Sequence, residues 1–477
     1  MTDQIFEQIE ILDAGSEGKA IAKIGELVIF VPFVVPGDIV DIQLVRKKKS
    51  YLEGKAIKFH HYSEKRQEAF CEHFGTCGGC RWMNMNYDEQ LLFKQKQVKD
   101  AMERIGKVEN PDIMPILASS ETTYYRNKLE YSFSNHRWLI AGERKSEDGR
   151  VDKKDMNALG FHIPLMFDKI LDINHCYLQA DPSNGILLET KRYALEHELS
   201  FYDVRIWKGF LRNLVIRTNQ TGDVMVIYVF RTDEREEIEK LLNHISVKFP
   251  SITSMYYVIN GKKNDVITDL PYIHYKGDAF ITEKMITFDE KKEVEFQIQP
   301  ASFFQTNTLQ AFNLYRNAAE MAGFTGNETV YDLYCGIGTI SSFVAGSVKK
   351  VIGIESIPSA VDNAWENAGR NGISNTFFFS GEAEKVLSQE FIEQAGRPDI
   401  VITDPPRAGM HEKVIKAILL AEPEKIIYVS CNPATQARDI GLMSEKYELI
   451  RCQPVDMFPH TQHVENIALL VRKINPS

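Results

Sequence analysis

The sequence predicts an α/β protein in three parts, and three observations carry that prediction. Five short alternating strands fill the first 60 residues, a strand-rich but irregular stretch follows, and from about Gln299 strands and helix-length segments alternate regularly. At 477 residues the chain is too long for one ordinary core. Its 44% hydrophobic and 26% charged residues, with 29 Gly and 18 Pro, exclude collagen-like, low-complexity and disordered classes. No apolar run reaches the roughly 20 residues that cross a bilayer. The start, Met1-Thr2-Asp3-Gln4, has no basic-then-apolar segment, so no membrane association and a cytoplasmic location are expected.

Residues 1–60 come first. Ile5–Ile11, Ala20–Ile24, Leu27–Val31, Ile39–Val45 and Leu52–Phe59 read as strands, separated by Gly15, Gly18, Gly25 and Pro36-Gly37-Asp38. Five such strands suggest a small closed barrel of the OB type. The net charge of −10 argues against a generally polycationic nucleic-acid binder. A local exception runs from Asp41 to Arg66, where eight Lys/Arg face three acids; its run Arg46-Lys47-Lys48-Lys49 would sit in a strand-connecting loop.

Residues 61–290 form the second part. Cys71, Cys77 and Cys80 crowd into ten residues. Seven cysteines, an odd number in a chain with no export signal, argue against a disulfide framework. Asp88 to Ile105 reads as a helix with Asp88 as N-cap, Gly106 as its stop, and Leu91, Leu92, Val98, Met102 and Ile105 near one face. It is a candidate to pack on the third part. From Tyr124 onward the pattern is mostly β, as in Leu129–Phe133 and Val224–Val229.

Residues 291–477 carry strands Thr329–Leu333, Lys350–Ile354, Asn375–Phe379, Ile400–Thr403 and Ile426–Ser430, the pattern of a doubly wound, Rossmann-like, largely parallel sheet. Ligands of such sheets lie at the carboxyl ends of the strands. The first of these strands runs through Tyr334-Cys335 into Gly336-Ile337-Gly338-Thr339; two glycines without Cβ let the backbone approach a ligand closely. Seventeen residues after Gly338, Glu355 ends the next strand, placed to accept hydrogen bonds from a ribose diol. No Gly-x-Gly-x-x-Gly and no Lys-Ser/Thr phosphate cradle is present, so S-adenosylmethionine fits better than a pyrophosphate cofactor. Glu382 ends the third strand near the expected adenine edge. Asp404-Pro405-Pro406-Arg407 ends the fourth, its prolines fixing Asp404 at the sheet's edge. The fifth delivers Cys431 to the same edge, where a thiol beside a cofactor is a candidate nucleophile. Glu465 lies in a polar turn before a last apolar strand, Ile467–Val471.

Together these residues resemble the RNA (uracil-5-)-methyltransferase family, and within it the iron–sulfur branch that methylates 23S ribosomal RNA. The matching motifs are Cys-x5-Cys-x2-Cys with the distant Cys176, Ser302-Phe303-Phe304-Gln305-Thr306-Asn307, Asp332-Leu333-Tyr334-Cys335-Gly336-x-Gly338, Asp404-Pro405-Pro406-Arg407, Ser430-Cys431-Asn432-Pro433 and His463-Val464-Glu465-Asn466. The resemblance covers nearly the whole chain. It implies a TRAM barrel at the N-terminus and S-adenosylmethionine bound by Gln305, Tyr334, Glu355 and Asp404. It implies Cys431 as nucleophile and Glu465 as proton-abstracting base; Gln305 enters through this match alone. Cys71, Cys77, Cys80 and Cys176 would be the ligands of a metal group. Four thiolates hold either zinc or a [4Fe–4S] cluster and spacing does not separate them, but the resemblance implies the cluster. Cys335 and Cys452 read as structural.

The expected partner is 23S ribosomal RNA, entered at a single-stranded or flipped-out uridine by a monomeric enzyme. Candidate contacts are Arg46–Lys49, Tyr124–Lys128 with Arg126 and Lys128, and Arg205, Lys208, Arg212 and Arg217 interleaved with Trp207 and Phe210. Arg407 or Asp404 would hold the pyrimidine's polar edge. The competing expectations are a transfer-RNA (uracil-5-)-methyltransferase, a cytosine-5 methyltransferase, disfavoured because Cys431 lacks a Pro-Cys or Thr-Cys context, and a non-catalytic metal-stabilised assembly factor.

Overall fold

The computed structural model describes residues 4–140, 143 and 156–473; Met1–Asp3, where the missing signal segment is read, lie outside them. Strands β1 (Ile5–Glu10), β2 (Asp13–Ala14), β3 (Lys19–Ile24), β4 (Leu27–Pro32), β5 (Ile39–Lys47) and β6 (Tyr51–His61) pair in the order β1-β5-β6-β4-β3-β2. Alternating residues such as Ala20, Ala22, Ile29, Val31, Val40 and Ile42 turn inward to one core. The sheet has six strands rather than five, because Asp13-Ala14 makes a short antiparallel pair with β3. Arg46 and Lys47 belong to β5, so only Lys48 and Lys49 of the basic run lie in the connection.

Helix α1 (Tyr87–Arg104) crosses to the far end of the chain. Its N-cap is Asn86, with Asp88 inside the first turn. The buried face is Gln90, Phe93, Lys94, Val98, Ala101 and Met102, whereas Leu92 and Ile105 are exposed. The apolar periodicity misplaces the face because Gln90 and Lys94 find polar partners, His460 and Asp456, that local sequence does not announce. Val98, Ala101 and Met102 join the core of the C-terminal sheet.

The middle of the chain folds as β7 (Lys128–Ser134), β8 (Ala158–His162), β9 (Ile170–Asp172), α2 (Ser183–Glu196), β10 (Leu211–Thr218), β11 (Val224–Phe230), α3 (Arg235–Lys248), β12 (Ser254–Ile259) and β13 (Ile273–Gly277). These strands form one sheet ordered β13-β12-β11-β10-β7-β8-β9. Leu214, Ile216, Val226 and Tyr228 turn toward α2 and α3; Val215, Met225, Ile227 and Val229 turn toward the C-terminal part. A hairpin of β14 (Ile281–Ile286) and β15 (Glu293–Ile298) lies in that second core. The expected division at 290/291 therefore falls in the turn of a hairpin whose two strands pair and pack together.

After α4 (Thr308–Ala322) come β16 (Thr329–Leu333), α5 (Thr339–Val344), β17 (Lys350–Glu355), α6 (Pro358–Arg370), β18 (Thr376–Ser380), α7 (Ala383–Val386), α8 (Gln389–Ala395), β19 (Ile400–Thr403), α9 (Glu412–Ala421), β20 (Lys425–Ser430), α10 (Pro433–Met443), β21 (Tyr447–Val455) and β22 (Glu465–Arg472). The sheet order is β18-β17-β16-β19-β20-β22-β21, parallel from β18 to β20 and antiparallel at β22 and β21. Both faces are covered. Val330, Val351, Ile402 and Val429 pack toward α4 and α5, and Tyr331, Ile352, Val401 and Tyr428 pack toward α9, α10 and α1. No described helix is long and apolar enough to cross a membrane.

Candidate active site

The site is built where β16, β17, β19 and β20 end. Beyond β16, Tyr334 takes a left-handed φ of 65°, and Gly336 and Gly338 take 55° and 77°. Gly338 caps α5, and a Cβ there would lie 2.9 Å from the Phe378 ring and 3.1 Å from Ala364 Cβ, so the turn can be this tight only with glycine. Nothing lies within 4 Å of the position a Gly336 Cβ would take; that side of the turn is open. The backbone N–H of Gly336 donates to Glu355 Oε2 at 3.1 Å, and Ile357 N–H donates to Oε1 at 2.9 Å. Two amides thus hold the Glu355 carboxylate facing the glycine turn. Thr339 opens α5 and is buried.

Asp404 follows β19 and receives the Gln305 amide, Nε2 to Oδ2 at 3.3 Å. Tyr315 also hydrogen-bonds Gln305. Asp332, inside β16, accepts from Ser341 Oγ at 2.6 Å, and its other oxygen is buried without a partner. Burial, then repulsion from Asp332, pushes the Asp404 carboxyl up to about 7; burial and Glu355 do the same to Asp332, also about 7.

Ser430 pairs with Asn466 across β20 and β22, so Cys431 and Glu465 are the next residues beyond that rung, facing each other at the same end of the ladder. Glu465 is the first residue of β22 rather than a turn residue, and is 4% exposed. Burial and the nearby Asp404 drive its carboxyl well above the usual range, with Arg407 opposing. Cys431 is half-buried; burial, Glu465 and Asp404 push its thiol up to about 11, and Arg407 again opposes. Asn432 Nδ2 and Thr435 Oγ1 donate to the Arg407 carbonyl at 3.2 and 3.3 Å, tying the loop after β19 to the loop after β20. The Arg407 guanidinium donates to His463 Nδ1 at 2.6 Å. That bond needs a neutral imidazole, and burial with the cations around it, Arg407 first, lowers His463 to about 4.

Other residues stand apart from this cleft. Glu382 is exposed and paired with Lys385 at 2.5 Å. Lys128 is half-buried opposite Arg217 in the β7–β10 ladder. Arg212, 1% exposed, donates to the carbonyls of Asn260, Lys262 and Asn264, and Arg217, 5% exposed, donates to that of Ser302. Phe210 is core. These three are corrected from RNA contacts to structural residues: each lies in or beside a strand buried on both faces, which strand alternation with polar residues does not disclose. Arg205 (paired with Asp168), Lys208 and Trp207 remain at the surface. Sequence pattern assigns no role to His463, Tyr315, Lys94 or Asp456; their partners are distant in the chain, and only the His-x-Glu spacing hints at the first.

Cys71, Cys77, Cys80 and Cys176 all line one cavity of ≈350 Å³, with His73, His175 and Arg126 also in its wall. Burial raises all four thiols, and their mutual repulsion adds to the effect at Cys80. Among the described residues no three His, Cys, Asp or Glu side chains converge to hold a single metal ion. Cys335 and Cys452 are buried.

A TRAM domain profile matches residues 7–57, and a profile described as tRNA (Uracil-5-)-methyltransferase matches residues 272–473. An RNA methyltransferase of Bacteroides thetaiotaomicron is 53% identical over 458 residues, 95% of this chain and 99% of that one. The chain belongs to the RNA (uracil-5-)-methyltransferase family. An RNA methyltransferase of Chlorobaculum tepidum is 39% identical over 471 residues, 98% of this chain and 96% of its own. The solved tRNA (uracil-54, C5)-methyltransferase of Pyrococcus abyssi, in complex with S-adenosyl-L-homocysteine, is 27% identical and matches with a TM-score of 0.74 over 97% of this chain and 100% of that one. The family's cofactor is S-adenosylmethionine, and the cleft fits it. The glycine turn leaves open space beside a fixed carboxylate.

Proposed function

We propose that this RNA methyltransferase methylates carbon 5 of a specific uridine in 23S ribosomal RNA through a covalent adduct between Cys431 and carbon 6, acting as a monomer in the cytoplasm. One observation carries the mechanism: Cys431 and Glu465 face each other just beyond the last rung of the β20–β22 ladder, near Asp404, which holds Gln305. Carbon 5 of uracil is a poor nucleophile. When the Cys431 thiolate adds to carbon 6, electrons move toward carbon 5 and the ring oxygen, and Arg407 faces the charge that develops. S-adenosylmethionine would supply an electrophilic methyl group for carbon 5, with S-adenosylhomocysteine as leaving group, and would be held by the glycine turn at Gly336 and Gly338 with Thr339, by Tyr334, Glu355, Gln305 and Asp404. Glu465, which must first lose its own proton, then removes the carbon 5 proton as a carboxylate, the bond from Sγ to carbon 6 breaks, and the uracil ring is restored. A base in such a position contributes on the order of 10²–10⁴-fold.

Cys71, Cys77, Cys80 and Cys176 are proposed to hold a [4Fe–4S] cluster that orders their loop. The four thiols lining one cavity support a bound metal group there, and the resemblance of the Cys-x5-Cys-x2-Cys spacing favours the cluster over zinc. Stoichiometric zinc without iron in anaerobically purified protein would overturn this.

RNA containing 5-fluorouridine tests the mechanism, because fluorine at carbon 5 cannot leave as a proton and the adduct should accumulate on Cys431. Cys431→Ala should abolish both adduct and methylation while RNA still binds. A second reading, transfer RNA as substrate, is favoured by the likeness to the Pyrococcus abyssi enzyme. Mass-spectrometric mapping of 5-methyluridine in a deletion strain separates the two: loss confined to transfer RNA sinks the ribosomal assignment.

A further inference from the structure

In and beside the wall of the cysteine cavity, which His175 and Tyr177 line, lies a set of rings that contribute little to any core. Phe70 and Tyr124 are 41% and 44% exposed. Phe70 meets Tyr177 edge-on at 5.1 Å; Tyr177 meets His175 at 4.4 Å and Tyr124 at 6.1 Å. Tyr124 is held in a left-handed backbone conformation, φ 55°, which an aromatic residue adopts only when its surroundings impose it. The restraints are visible: its N–H donates to the Tyr177 carbonyl at 2.7 Å, and its hydroxyl meets His175 Nε2 at 3.1 Å. Two residues on, the Arg126 guanidinium lies 5.3 Å over the Phe458 ring, and its Nε has no partner. Phe458 in turn meets His463, the partner of Arg407, at 6.3 Å. The Tyr124 loop is also tied to the cleft directly, since Asn127 donates to the carbonyls of Gln305 and Thr306, both at 2.8 Å.

We propose that Phe70, Tyr124, His175 and Tyr177 form a stacking platform for unpaired bases flanking the target uridine, so that the substrate lies as a single strand from the cysteine cavity to Cys431. This rests on the RNA methylation reading above and names the form of the substrate. Every base has a π-face, so exposed rings next to a cation are what a splayed single strand needs. Arg126, its guanidinium over the Phe458 ring, puts a positive charge between platform and cleft, where the strand's backbone would pass.

The test uses the full-length protein and a short single-stranded oligoribonucleotide in which 2-aminopurine flanks the uridine. Stacking on the platform should quench its fluorescence on binding. The double variant Phe70→Ala/Tyr124→Ala should bind about 5- to 150-fold more weakly and lose the quench. Tyr124→Phe, which keeps the ring, should bind like the parent. Melting temperature and S-adenosylhomocysteine affinity should stay unchanged in both variants, which separates the effect from misfolding. Wild-type affinity and quench in the double variant would overturn the platform while leaving the methylation reading intact, provided the parent still forms the 5-fluorouridine adduct. Unchanged oligonucleotide binding with impaired association to ribosomal particles would assign the rings to a protein partner and likewise overturn it. A parent protein that forms no adduct and binds no RNA would overturn both.

Discussion

Three carboxyl groups, Asp332, Asp404 and Glu465, share one water-poor cleft, and each is held above the ordinary carboxyl range. For such groups the folded state binds protons more tightly than the unfolded chain. Their stabilising contribution is complete below about pH 4 and is lost as pH rises through the folded value near 7. The cofactor-free protein should therefore melt lower at pH 8 than at pH 6. Asp404→Asn should flatten that fall, raise stability at pH 8 by roughly 1–3 kcal/mol and abolish methylation, as thermal scans and activity assays would show. A variant that melts like the parent at both pH values would count against the crowding. The thiol provides a second check. With Cys431 pushed up to about 11, its alkylation by iodoacetamide, followed by peptide mapping, should be slow at pH 7 and rise about tenfold per unit toward that value. Arg407→Ala should slow it further at neutral pH, because the guanidinium favours the thiolate.

At the scale of elements, α1 fastens the N-terminal region to the segment that leads into Glu465. Lys94, fully buried, donates to Asp456 Oδ1 at 2.6 Å and to the Phe458 carbonyl at 3.0 Å, and Tyr87 donates to Asp456 Oδ2 at 2.9 Å. Gln90 donates to the carbonyls of Trp82 and Met85 and accepts from His460 N–H at 2.9 Å. Arg81 and Trp82, next to the cysteine loop, donate to the His460 carbonyl at 3.0 Å each. Lys94→Ala would strand the Asp456 charge in the interior, and the expected loss is about 3–5 kcal/mol, read as a lower urea midpoint at constant slope. Lys94→Met combined with Asp456→Leu should recover most of it. If the single variant is as stable as the parent, the pair does not carry the junction.

The whole molecule is acidic, with a net charge of −10, yet its family acts on RNA. Exposed cations at the end of β5 and just beyond, Arg46, Lys47 and Lys49, remain the local exception. Replacing all three by Ala should weaken RNA binding uniformly across sequences. For a single-stranded RNA, the slope of log K against log salt should become shallower by about 0.7 for each phosphate these cations no longer neutralise. An unchanged slope in a salt titration would remove the barrel edge from the RNA path.

The sequence alone determined what depends on near neighbours. Strand periodicity, the glycine turn, the acid or thiol that ends each strand and the cysteine spacing are local, so the sheet and the placement of Glu355, Asp404 and Cys431 at its edge were legible. Tertiary structure decided what depends on burial and on partners far along the chain. It turned Arg212 and Arg217 inward, because strands β10 and β11 are covered on both faces. It buried Lys94 against an acid more than 350 residues away, and it made Glu465 a strand residue opposite Val455. It left Glu382 in solvent and drew Phe70, Tyr124 and Tyr177 together beside the cleft. A side chain's charge state and exposure are set by the sum of everything packed around it, and no window of sequence contains that sum.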